Sequence, residues 1–352
     1  MKKNKLLIPI LILIGVITSC SDNSRKYSYM KADKSFLSKK DSDTIYFAYT
    51  SSLNSKVESH SDELIVSSKI EFGGDALLYK FISALKEKLS NLVLIDGGQI
   101  LEKEYDLAGE LILNQLANFN YDAILLSDHE LINFKNNLLP RELPFVNSNL
   151  ISLDTNSAFN QYGNQEYIVK EVGGIKVGII GLTPYKPKLK KEDGLEGILF
   201  DDVVARVIEI KKALKGKTDL NIALLHSHTE CSDKIDYKFK NCSLDKQATE
   251  TILKRLPPDT FDLIFTGNSF EPYMQVSGYP IISNIGHGEF ITLVSFNKKT
   301  KEVKAEQIRV CSHFYQAVDS CYIDPEDIDS IKKVRKSRIK LKPATVFGKE
   351  IL

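Results

Sequence analysis

Five short runs gather the side chains suited to chemistry: Ser51-Ser52-Leu53-Asn54, Asp96-Gly97-Gly98-Gln99, Ser127-Asp128-His129-Glu130, His226-Ser227-His228 and Gly267-Asn268-Ser269-Phe270. Each follows an apolar stretch that reads as a strand, and layered α/β proteins place reactive groups at the carboxyl ends of strands. Asp128, His226 and His228 are of the types that bind a divalent ion, but three ligands make at most an open single-metal site. Ser127 and Ser227 each have a histidine nearby, yet no Gly-x-Ser-x-Gly elbow accompanies them. Gly97-Gly98 and Gly286-His287-Gly288 suit a phosphate, although short glycine turns are more often only turns.

The elements between these runs alternate. Thr44 to Thr50, Leu92 to Ile95, Ala123 to Leu126, Leu220 to Leu225 and Phe261 to Phe265 read as strands. Asp75 to Leu89, Leu107 to Leu116, Val203 to Leu214 and Ala248 to Arg255 have the apolar spacing of helices. Glu166 to Val172 and Ile175 to Ile180 flank Gly173-Gly174, a hairpin signal. The chain then turns all-β, with Tyr279 to Ser283, Phe290 to Phe296 and Val303 to Val310. The pattern predicts one α/β domain with layered sheets.

In order and spacing the series resembles the metallophosphoesterase (calcineurin-like) domain of the 5′-nucleotidase family. The motifs are Gly73-Gly74 before the first helix, Leu94 to Gln99 for a strand ending in Asp-x-Gly-Asp, and Asp128-His129-Glu130 for Gly-Asn-His-Glu. Pro144 to Asn149, the hairpin Gly174 to Thr183, Leu225-His226 and Gly267 to Phe270 follow in place. The resemblance implies a four-layer αββα sandwich over residues 44–352. It also implies that the C-terminal nucleoside-specificity domain of whole nucleotidases is absent, so nucleotide specificity does not follow.

Enzymes of that family clamp a phosphoryl group with two metal ions, and the resemblance marks the ligand positions that differ. Ser52 and Asn54 stand where it has Asp and His, and Gln99 stands for the Asp that bridges both ions. Asn268 and Phe270 replace two His of the last loop. Asp128 replaces an Asn, His226 is kept, and His129 matches the residue that acts on the substrate. Two close cations repel, and a neutral Gln99 offsets none of that repulsion. The expectation is therefore a catalytically degenerate domain with no cofactor, acting in binding at the cell envelope. The alternative is an active, metal-dependent phosphoester hydrolase with a rebuilt site on Asp128, His226 and His228.

The first nineteen residues read as a signal peptide. Lys2, Lys3 and Lys5 precede an apolar run to Ile17, and Thr18-Ser19-Cys20 follows. Ile17 to Cys20 resembles a bacterial lipobox, which implies lipidation of Cys20 and attachment to a membrane. Residues 20–43 read as a flexible polar tether. Cys231, Cys242, Cys311 and Cys321 remain. In an exported chain an even number favours disulfides. Of three pairings, 231 with 242 and 311 with 321 close the shortest loops, and a four-cysteine zinc site is the weaker rival. A formal net charge of +1 gives no nucleic-acid footprint. Basic runs at 186–191 and 332–342 read as solvated faces, with anionic lipid headgroups the partner they would suit. The identity of a protein or small-molecule ligand is left open.

Overall fold

The computed structural model describes residues 43–61, 70–102, 107–135, 142–184, 195, 197–226, 229–231, 242–244, 246–267, 273–318, 320–321, 323, 327–347 and 349–350. Twelve of its strands form two six-stranded sheets. The first sheet takes β1 (Thr44–Thr50), β2 (Leu92–Asp96), β3 (Ala123–Leu125) and β4 (Phe145–Val146). The second takes β5 (Ile168–Val172), β6 (Ile175–Leu182), β7 (Leu220–Leu225), β8 (Leu263–Thr266), β9 (Tyr273–Val276) and β10 (Tyr279–Ser283). The chain returns to the first sheet with β11 (Phe290–Asn297) and β12 (Val303–Arg309). The orders are β12-β11-β1-β2-β3-β4 and β9-β10-β8-β7-β6-β5.

Alternation along the strands builds the layers. Ile45, Phe47 and Tyr49 of β1, Val93 and Ile95 of β2, and Leu220, Ile222 and Leu224 of β7 share one core between the sheets. The opposite face of the first sheet, with Ala48 and Leu94, packs on α1 (Asp75–Lys88), α2 (Leu107–Phe119) and α3 (Asp128–Lys135). The opposite face of the second, with Ala223 and Leu225, packs on α4 (Val203–Leu214) and α5 (Lys246–Leu253). Three apolar cores separate four layers, the αββα sandwich expected.

The Gly173-Gly174 hairpin forms as predicted, joining β5 and β6 with Ile175 opposite Val172. β1 to β4 run parallel, as do β6, β7, β8 and β10, so their carboxyl ends share one edge in each sheet. The elements not anticipated include α3, β9 and α6 (Ile328–Lys336). The backbones of Cys231 and Cys242 lie opposite one another in a two-stranded ribbon. Cys311 and Cys321 are buried near one another as thiols and not as the expected disulfide. Among the described residues no helix is long and apolar enough to cross a membrane. The signal peptide, Cys20 and the tether to residue 42 lie outside the described residues.

Candidate functional site

The loops leaving β1 and β2 stay paired beyond the strands. Thr50 lies opposite Asp96, and then Gly97 N donates to Thr50 O, Ser52 N to Gly98 O, Asn54 N to Gln99 O and Ser55 N to Ile100 O, at 2.8–3.2 Å. This course requires left-handed backbone at Ser52 (φ 49), Asn54 (φ 51), Ser55 (φ 53) and Gln99 (φ 57). Asn visits that region readily, whereas Ser and Gln each sit there at a cost of about 1 kcal/mol. Gly97 is needed for a different reason: a Cβ there would stand 2.3 Å from the Tyr49 hydroxyl oxygen.

A frame of buried polar side chains holds these loops. Asp96 is fully buried, with Oδ2 2.6 Å from Thr50 Oγ1 and Oδ1 accepting from Gly98 N at 2.8 Å. The Tyr121 hydroxyl closes on Thr50 Oγ1 at 2.8 Å. Burial pushes the Asp96 carboxyl up to about 8, so it keeps its proton at neutral pH. Glu130, also fully buried, accepts from Ile100 N (2.7 Å) and Leu101 N (3.2 Å) through Oε1. Its Oε2 accepts from Ser127 N (3.0 Å) and Ser127 Oγ, while Ser127 Oγ accepts from His129 N. That is a capping box, and it starts α3 at Asp128. Asn147, Asn149 and Asn284 fix the neighbouring loops. Asn147 donates to Leu126 O and Thr183 Oγ1, Asn149 to Thr183 O and Asp201 O, and Asn284 to Tyr49 O and Phe290 O.

Inside the frame lie the residues singled out in the sequence. Asp128 and His226 converge, with Oδ1 and Nε2 3.7 Å apart and side chains 13% and 14% exposed. They arrive from different sheets, Asp128 from the start of α3 and His226 just after β7. His129 places Nδ1 3.2 Å from Leu101 O. A carbonyl only accepts, so Nδ1 carries the proton and Nε2 holds the lone pair in the neutral ring. Ser52 Oγ lies 3.5 Å from Gln99 Oε1. The second sheet closes over them: a Cβ on Gly267 would meet Ser52 Oγ at 3.5 Å, and His287 N donates to Ser52 O at 2.8 Å. His228, Asn268 and Phe270 lie outside the described residues. A cleft of about 450 Å³ lined by Lys86, Tyr121, Asp122 and Lys170 opens at the opposite ends of β2 to β4, away from these loops.

The donor set does not fit the metal pair that the fold implies. Among the described residues no donor reaches Asn54 Oδ1, a buried neutral oxygen. Its neighbours Ser52 and Gln99 are neutral too. Among the described residues the carboxylate offered to this group is Asp128, because Asp96 is taken up by Thr50 Oγ1 and Gly98 N and Glu130 is engaged by four donors. Among the described residues no three His, Cys, Asp or Glu side chains group as metal ligands.

No family model matches the sequence, and no curated protein matches it. Solved structures do. The 5′-nucleotidase precursor of Thermus thermophilus superposes with a TM-score of 0.55 at 17% identity, over 83% of this chain and 58% of that one. The sulfate thiohydrolase SoxB of the same organism gives 0.59 at 13%, over 84% and 61%. The calcineurin-like phosphoesterase YfkN of Bacillus subtilis gives 0.56 at 17%, over 84% of this chain and 98% of that one. This chain therefore spans about three fifths of the first two and nearly all of the third. It has the fold of 5′-nucleotidases and calcineurin-like phosphoesterases.

Proposed function

We infer that this chain is an exported lipoprotein, held on a membrane through Cys20, whose phosphoesterase-fold domain binds a ligand or partner without hydrolysing it. The observation that carries the loss of catalysis is Gln99. It stands at the position of the metal-bridging carboxylate, and its Oε1 faces Ser52 Oγ. An amide oxygen cannot balance two adjacent divalent charges, and without them no group lowers the pKa of an attacking water. His129 keeps a lone pair on Nε2, but a single hydrogen bond to a phosphoryl oxygen does not replace two cations. The lipid anchor rests on Thr18-Ser19-Cys20 after the apolar run.

A second reading has one observation in its favour: Asp128 and His226 meet at 3.7 Å, close enough to share one ion. A single metal ion there would act as a Lewis acid on a phosphoryl oxygen.

Both readings are separated by one experiment. The protein, purified without chelator, is titrated with manganese, zinc and cobalt, and hydrolysis of nitrophenyl phosphate and nucleotides is followed. The binding reading expects less than stoichiometric two-metal loading and no turnover above background. Metal-dependent turnover lost in both Asp128→Ala and His226→Ala would establish the second reading. For the anchor, Cys20→Ala should leave the membrane fraction or accumulate as uncleaved precursor. Unchanged attachment with normal processing would refute lipidation.

A further inference from the structure

The formal charge of the whole chain is only +1, yet residues 332–342 carry seven Lys and Arg and no acid. The structure shows what that segment does with them. α6 buries Val334 completely and Ile331 in part, so the helix lies on the body by one narrow face. Its N-terminus is capped by Asp327, which accepts from Ser330 N at 3.0 Å. The chain then turns through Arg338 and Ile339, both left-handed, into the strand Leu341–Pro343, which pairs with His313–Tyr315. All seven basic side chains from Lys332 to Lys342 are exposed. Salt bridges elsewhere take up Lys170, Arg206, Lys254, Arg255 and Lys301, but none among the described residues engages these seven. Lys333 helps hold the Asp327 carboxyl low, after the hydrogen bonds from Ser330, and Asp329 is the acid within the helix itself.

An apolar side chain accompanies the charge. Ile328 is 60% exposed, and Lys332 and Arg335 follow it at i+4 and i+7 on the same flank of α6. A flank that mixes exposed aliphatic and basic residues suits a bilayer interface, where the cations meet headgroups and the aliphatic chain enters the acyl boundary.

We propose that α6 and the strand after it form a docking surface for an anionic phospholipid bilayer, the same membrane that carries the lipid on Cys20. This rests on the lipoprotein reading for its physiological setting, and the surface itself does not need the lipid. A lipid on Cys20 would hold the chain to the membrane without orienting the domain, and a basic patch is a recognised kind of second signal. Even fully extended at about 3.5 Å per residue, the residues between Cys20 and β1 reach roughly 80 Å. The tether length alone therefore fixes no orientation, and the basic face supplies one.

The test uses the chain begun at Ser21, which keeps every described residue and has no lipid. Its partitioning is measured by sedimentation with phosphatidylcholine vesicles, with and without phosphatidylglycerol. Binding is expected only with the anionic lipid, falling as salt is raised. Each cation near such a surface contributes about fivefold. Lys332→Gln, Arg335→Gln and Lys336→Gln combined should therefore weaken partitioning by at least about tenfold, with an unchanged melting temperature. Ile328→Ser should weaken it less. Absence of binding at low salt, equal binding to neutral vesicles, or full binding by the triple variant would each overturn the proposal. So would tighter binding to duplex DNA than to the vesicles, which would make the patch a polyanion site. Because no lipid is attached, these outcomes are independent of the Cys20→Ala result.

Discussion

The loops at the strand ends contain two populations of polar residues only a few ångströms apart. In the frame, Asp96, Glu130, Asn147, Asn149 and Asn284 are buried and make hydrogen bonds mostly of 2.6–3.2 Å. At the mouth the contacts are looser: Ser52 and Gln99 at 3.5 Å, Asp128 and His226 at 3.7 Å. Asp96, Glu130, Asn147 and Asn149 of the frame fall in the runs that resemble the phosphoesterase motifs, whereas Ser52, Gln99 and Asp128 at the mouth stand where that resemblance breaks, with His226 the exception. Buried groups explain this difference physically. Replacing a carboxylate that satisfies four donors strands those donors, whereas the longer contacts at the mouth leave fewer partners to strand.

The sharpest way to break this contrast is Glu130→Ala. Ile100 N, Leu101 N and Ser127 N would lose their acceptor inside the protein, at a cost of at least about 3 kcal/mol. Urea denaturation measures it, and a loss below about 1 kcal/mol would mean the frame is not what holds the loops. The next effect is a pH dependence from Asp96. Its folded value of about 8 lies above the unfolded carboxylate value, so between these the native state binds the extra proton. Stability should therefore be highest near pH 4, fall as pH rises toward 8, and level off above it. Asp96→Asn keeps the shape without the charge. It should flatten that slope and gain a few kcal/mol at pH 8, at about 1.4 kcal/mol per pKa unit. A slope identical in both proteins would show that Asp96 ionises freely. The smallest effect belongs to the mouth. Asp128→Ala and His226→Ala should each change stability by less than about 1 kcal/mol. A loss above about 2 kcal/mol in either would place that residue in the frame.

Much of this architecture was legible because period and burial agree. Phe47, Tyr49, Val93 and Ile95 alternate along strands buried on both faces, and Gly173-Gly174 marks its hairpin. The frame was less legible, although one signal was present. Ser127-x-x-Glu130 is a capping box, and reading it would have started a helix at Asp128 instead of ending a loop there. Nothing local marks Asp96 as protonated, since its enclosure depends on Thr50, 46 residues away, and on Tyr121, 71 residues from Thr50. α6 was obscured by its own composition: one fully buried residue, Val334, is too little to show a helical stripe among so many charges. At the mouth, the meeting of Asp128 with His226 followed from the family pattern and not from spacing.

The paired course of the loops after β1 and β2 bears on kinetics. Ser52, Asn54 and Ser55 already donate their amides across to Gly98, Gln99 and Ile100, so these loops do not have to become ordered when something binds. A ligand settling on them would lose its own freedom but would not have to freeze them. Association should then occur in one step without a slow rearrangement, and the three amides should exchange with deuterium on the timescale of the strands rather than of surface loops.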